Sequence, residues 1–161
     1  MPSVSRKQVL PVDPDAVYDV VSDPRRLREW WPRVTRVEDV DGKPGTARTR
    51  WTNVLLADSG RKLRMDYCCI GATRPRRYVW EHELAGTPFA EHMLEQTTEV
   101  LLEPGKGGTA VTLTANHTLR GSARIAGFMM KKTQKQMLDG ALAGLATVFE
   151  EDEPAAEGDS P

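Results

Sequence analysis

The order of local patterns predicts an α+β fold: a curved antiparallel sheet of seven strands covered by one long C-terminal helix. Two observations carry this. Residues 122–150, SARIAGFMMKKTQKQMLDGALAGLATVFE, contain no proline and place Ile125, Phe128, Met129, Leu138, Leu142, Leu145 and Phe149 at three- and four-residue steps, the period of an amphipathic helix. Ahead of it, from Val34 to about Arg120, strand-like runs alternate with short turn-rich separators, and short links make successive strands antiparallel neighbours. A one-sided antiparallel sheet needs a cover, and the long helix is the one available. A single helix cannot fill a strongly twisted sheet along its whole length, so an internal hydrophobic cavity is expected.

The elements follow in order. Residues 4–12, VSRKQVLPV, read as a first strand ended by Pro11, which lacks a backbone donor. Asp13-Pro14 and Ser22-Asp23-Pro24 are two N-cap and first-turn signals, so two short helices stand between strands 1 and 2. The second stops before Pro32. In outline the pair is a helix–turn–helix, with Arg25, Arg26 and Arg28 nearby, but no recognition helix of normal length follows. Strands are expected near 34–41, 45–56, 61–71, 76–84, 90–102 and 109–120. The last alternates cleanly through Val111, Leu113, Ala115, His117 and Leu119. Gly105-Lys106-Gly107-Gly108 has the look of a phosphate cradle but lies between two strands rather than before a helix, which makes it a hairpin turn. On the long helix, Ser122 is the expected N-cap. Gly140 and Gly144 each cost about 1 kcal/mol against alanine and imply a close approach to the sheet.

The 161 residues suffice for one domain with a substantial core. Residues 1–150 are expected to form it, and 151–161 a disordered acidic tail. The chain holds 22 lysines and arginines against 23 acids. Six of those acids and no base fall in 150–161, which leaves the first 149 residues at +5. That charge is too mild, and the arginines too scattered, to point to nucleic acid. No apolar run is long enough to span a bilayer, and the start lacks a secretory h-region. Cys68 and Cys69 are adjacent, so they cannot easily pair with each other, and one should face in and the other out. A reducing, cytoplasmic setting is expected, with no cofactor and no stable membrane insertion. Monomer and homodimer stay equally open. Lys131, Lys132 and Lys135 form a solvated helix face or, less simply, a membrane-surface one.

The segments 12–34 (VDPDAVYDVVSDPRRLREWWPRV), 73–80 (TRPRRYVW) and 102–113 (LEPGKGGTAVTL), with the terminal helix ending in Glu150, together resemble the START/birch-pollen-allergen helix-grip (SRPBCC) superfamily, in particular its polyketide cyclase/dehydrase-type members. The resemblance covers about residues 4–150. It implies the helix-grip fold and an internal cavity for lipids, polyketides or other apolar molecules. Function within such a superfamily must still be argued from the site.

Strand registers assign that site. Tight hairpins at 57–60, 85–89 and 103–108 pair Trp51 with Tyr67, Asn53 with Met65, Tyr78 with Gln96, Trp80 with Leu94, His82 with His92, Val100 with Val111, and Leu94 with His117. Trp51, Met65, Tyr67, Tyr78, Trp80, Leu94, Gln96 and Val111 then face the cavity, joined by Trp30, Trp31, Phe128 and Met129. This lining suits a flat apolar ligand with a few polar groups; any one of these aromatics could equally be plain core. The same registers gather His82, His92 and His117 on one face. Three imidazoles can hold zinc, move protons or donate to a bound carbonyl. Their spacing matches no metal motif, so no metal is expected, and ordinary structural roles remain open for them. Two functions follow: binding of a hydrophobic or aromatic, lipid- or polyketide-like small molecule, or a cyclase, aromatase or dehydratase working through His82, His92, His117 and the cavity tyrosines.

Overall fold

The computed structural model describes residues 3–121 and 127–152. The expected N-cap Ser122, Ile125 and the tail beyond Asp152 lie outside the described residues, as does the side chain of Phe128. Seven strands form one antiparallel sheet: β1 (Ser3–Leu10), β2 (Val34–Asp41), β3 (Arg50–Leu56), β4 (Lys62–Thr73), β5 (Arg77–His82), β6 (Met93–Gly105) and β7 (Gly108–Leu119). Their spatial order is β1-β7-β6-β5-β4-β3-β2. Every link but the first is a hairpin. β1 instead reaches across to β7 with Val4 opposite Ala115, while α1 (Pro14–Val21) and α2 (Leu27–Trp30) carry the chain to the far edge.

Both short helices start where the caps predict. The Asp13 carboxylate accepts from the Ala16 amide at 3.0 Å, and that of Asp23 from the Arg25 amide at 3.1 Å. Helix α3 (Gly127–Asp152) is 26 residues long, about 39 Å at 1.5 Å per residue. Its C-terminal half buries Leu138, Ala141, Leu142, Leu145 and Val148 against Val4, Leu10, Leu102, Val111 and Leu113 in one continuous core.

The glycines of α3 make a close approach, but to α2 and not to the sheet. A Cβ on Gly144 would stand 2.4 Å from the Trp30 carbonyl oxygen, and one on Gly140 3.1 Å from the Pro32 ring. The short helices wedge between the sheet edge and α3, so α2 rather than a strand limits the spacing there.

The hairpin expectations hold in part. Trp51 faces Tyr67 and Asn53 faces Met65. Between β5 and β6, Tyr78 faces Val100 and Trp80 faces Thr98, a slip of four residues from the expected register. The cause is the connection: a 3₁₀ turn at Pro88–Glu91 and its flanks replace a tight hairpin. Between β6 and β7, Val100 faces Leu113 and the turn closes on Gly105 opposite Gly108, a slip of two that reflects a two-residue turn at Lys106-Gly107. Both slips are even, so faces are preserved. An irregularity between Met93 and Glu95 does change parity locally. Of the cysteines, Cys69 is buried and Cys68 half-buried.

Candidate functional site

Where α3 leaves the core, a cavity of about 120 Å³ opens between the helix and the concave face of β3 to β6. The sheet contributes Leu55, Met65, Tyr67, Trp80, Met93, Gln96 and Thr98; Trp31 enters from the end of α2; Met130, Gln134 and Met137 descend from α3. Alternation explains the sheet side, since Met65 and Tyr67, and Gln96 and Thr98, are two residues apart. Helical spacing explains the other, because 130, 134 and 137 share one face.

Four of the chain's six methionines stand in this lining, and among the described residues no lining side chain carries a charge. The volume is close to that of an engineered apolar cavity that takes benzene, about 150 Å³, and below the roughly 300 Å³ where drug-sized pockets begin. The wide pocket expected from the sequence is therefore a single-ring cavity, because Trp30 and Trp51 fill the adjoining space. A larger ligand requires the methionine side chains to change rotamer, which their unbranched stems allow.

An aromatic series runs from the floor of the cavity into the core. Trp31 and Trp80 meet edge to face at 5.3 Å, Trp80 and Trp51 at 6.3 Å, and Trp51 stacks on Tyr67 at 6.0 Å. Tyr67 stacks in turn on His82 at 4.9 Å, and His82 packs against Phe89 at 5.2 Å. The His82 Nδ1–H donates to Gln96 Oε1 at 3.0 Å, which leaves Nε2 as an acceptor, buried and without a partner among the described residues. Burial lowers the pKa of His82 despite the bond to Gln96, and burial followed by the Lys131 charge lowers that of His117. Both rings are neutral at pH 7. His117 pairs across the ladder with Gln96, is fully buried, and has neither ring nitrogen bonded among the described residues. Burial also drives the Tyr67 hydroxyl far above its ordinary pKa, so it stays protonated and can donate.

The sequence-derived residues divide accordingly. Trp31, Met65, Tyr67, Trp80 and Gln96 line the cavity. Trp30, Trp51 and Tyr78 are core side chains, each with an aromatic neighbour. Leu94 was expected to face inward, but the irregularity at Met93–Glu95 turns it outward, 55 % exposed, and brings Met93 in. Met129 is 62 % exposed and Met130 takes the inward place, one helical residue away. His92 ends the 3₁₀ turn ahead of β6 and is exposed, so the three-histidine patch does not form; His82 and His117 instead flank Gln96 from the two adjoining strands. Among the described residues no group of three metal ligands converges. Gln134 was missed because the expected stripe was phased on Phe128 and Met129, with Lys132 and Gln136 as its interruptions, whereas the lining face runs through Met130. The signal was its i+4 spacing from Met130 and onward to Leu138.

With fold and cavity in place, the chain's relationships follow. The family model described as polyketide cyclase/dehydrase and lipid transport matches residues 1–150, and the chain belongs to that family. No curated protein matches it. Among solved structures, a protein from Thermus thermophilus is similar at 20 % identity and TM-score 0.75, covering 95 % of this chain and all of that one. A START superfamily protein from Mycobacterium smegmatis is similar at 15 % identity and TM-score 0.72, covering 92 % and 97 %. The di-domain ARO/CYC StfQ of the steffimycin biosynthetic pathway is similar at 12 % identity and TM-score 0.74, covering 93 % of this chain and 51 % of that one. At these identities the likeness is one of fold.

Proposed function

We propose that this protein binds a hydrophobic or aromatic small molecule, lipid- or polyketide-like, in the cavity beneath the first half of α3. The observation that carries this reading is the lining itself: an uncharged hollow with four methionines at a place where the helix and sheet could have packed on each other. Trp31, Met65, Tyr67, Trp80 and Gln96 are the contacts we assign to the ligand. The family description includes lipid transport alongside cyclase and dehydrase members, which supports the same reading. Native mass spectrometry of protein isolated from its host should find a co-purifying small molecule. Titration of small aromatic compounds should change the fluorescence of Trp31 and Trp80. No bound species, together with an unaltered emission spectrum and melting temperature across lipid and polyketide-like panels, would overturn the proposal.

A second reading, cyclisation or dehydration of a bound polyketide-like chain, draws on one observation. His82 presents a neutral Nε2, without a partner among the described residues, directly behind Tyr67, and a neutral imidazole is a competent general base. Turnover in the wild type that His82→Gln abolishes, with ligand affinity retained, would favour it; turnover indifferent to both His82→Gln and His117→Gln would remove it.

A further inference from the structure

Two hydrogen-bond donors in the cavity are spent on sulfur. The Tyr67 hydroxyl donates to Met65 Sδ at 3.7 Å, and the Gln134 Nε2 amide to Met130 Sδ at 3.8 Å. A thioether is a weak acceptor, and a buried donor so paired keeps much of its desolvation penalty. Gln96 adds a third donor: its Oε1 is taken by His82, and its Nε2 amide has no protein partner among the described residues. All three residues, and both methionines, line the same hollow. Methionine stems are flexible enough to release these donors without moving the backbone. Among the described residues the lining supplies no cation to balance an anion, and an unpaired buried carboxylate is far more costly than a buried neutral oxygen.

We infer that the ligand is an uncharged hydrophobe bearing an acceptor oxygen, such as a ketone or ester carbonyl, and that Tyr67 and Gln134 select for that oxygen by exchanging their methionine sulfurs for it. The inference rests on the binding reading above and adds its selectivity: a carbonyl compound is preferred over the hydrocarbon of the same shape, and a carboxylate is rejected. Tyr67 stays a donor through the accessible pH range because burial opposes its ionisation.

Three one-ring probes of matched shape test this. Acetophenone carries the carbonyl, α-methylstyrene replaces its oxygen with a methylene, and benzoate carries the charge. Dissociation constants are measured by tryptophan fluorescence or calorimetry at pH 7 on the full chain, wild type and the near-isosteric double variant Tyr67→Phe/Gln134→Met. The expected result is that benzoate shows no binding at concentrations that saturate acetophenone. The ratio of α-methylstyrene to acetophenone dissociation constants should fall about tenfold in the double variant, the order of one to two hydrogen bonds. Retained α-methylstyrene binding shows that the variant is folded. An unchanged ratio, or benzoate binding as tightly as acetophenone, overturns the inference while leaving hydrophobic binding intact. No binding of any of the three to the wild type overturns the one-ring cavity reading on which the inference depends.

Discussion

At the scale of single residues, the buried imidazoles make a pH prediction. His82 and His117 are buried and neutral, and both have pKa values lowered from 6.5 by the folded state. The unfolded chain takes up protons at these positions as pH falls through about 6.5, and the folded chain does so only at lower pH. Their contribution to stability is therefore complete above about 6.5 and is lost as pH falls from there toward the folded values. Urea midpoints should decline between pH 7.5 and 5.5, before the ordinary carboxylate range is reached. The double variant His82→Gln/His117→Gln should flatten that decline; an equally steep profile in the variant would place the proton uptake elsewhere. Alternation in β7 made the inward position of His117 legible in the sequence. The exposure of His92 was not, because the 3₁₀ turn before β6 shows no local signal beyond Pro88.

At the scale of elements, α3 has two differently built halves. The C-terminal half is core, so Leu142→Ala should cost about 2–5 kcal/mol in denaturant unfolding without changing ligand affinity. Gly144→Ala is the sharper test of how α3 meets α2. Ordinarily the exchange favours a helix by about 1 kcal/mol. Here the new methyl group would meet backbone atoms of Trp30 at 2.4 to 3.1 Å, and backbone cannot swing aside as a side chain can. The variant should lose about 1–3 kcal/mol; a gain in stability would show that α2 and α3 are less tightly docked. The N-terminal half contributes Met130, Gln134 and Met137 to the cavity. Its expected inward residue Met129 faces out because the inward stripe runs 130, 134, 138, 141, 145 and 148, one residue out of phase with the line through Met129, Lys132 and Gln136.

Across the whole molecule, sheet curvature and a single covering helix leave one part of the concave face with nothing to pack against. That produces two differently built ends: the end of the sheet under Leu138 to Val148 is closed by core packing, and the end under Met130 to Met137 holds the cavity that we propose as the binding site. A ligand that occupies the open end should raise stability by about 2.7 kcal/mol at a hundredfold excess over its dissociation constant. The same increment should appear in wild type and in Leu142→Ala, since Leu142 is not part of the cavity lining and effects without shared partners add. An increment that collapses in Leu142→Ala would show that the cavity and the core are one cooperative unit. No described helix is long and apolar enough to cross a membrane.

By itself the sequence determined the elements, their order and the class of fold. Caps, prolines and periodicity act over a few residues, and antiparallel pairing through short turns leaves little choice of topology. It also set which side of most strands faces inward, because register slips of two and four residues preserve parity. The tertiary structure decided the rest. Loop geometry between β5 and β6 moved Gln96 beside His82, the irregularity at Met93–Glu95 exchanged Leu94 for Met93, and the docking of α2 on Gly140 and Gly144 set how far α3 stands off the sheet. Each depends on contacts between segments distant in the chain, where no local pattern records which side chain will meet which. The size of the cavity is the clearest case: the sequence implied a hollow, and only the packing of Trp30 and Trp51 reduced it to the dimensions of a single ring.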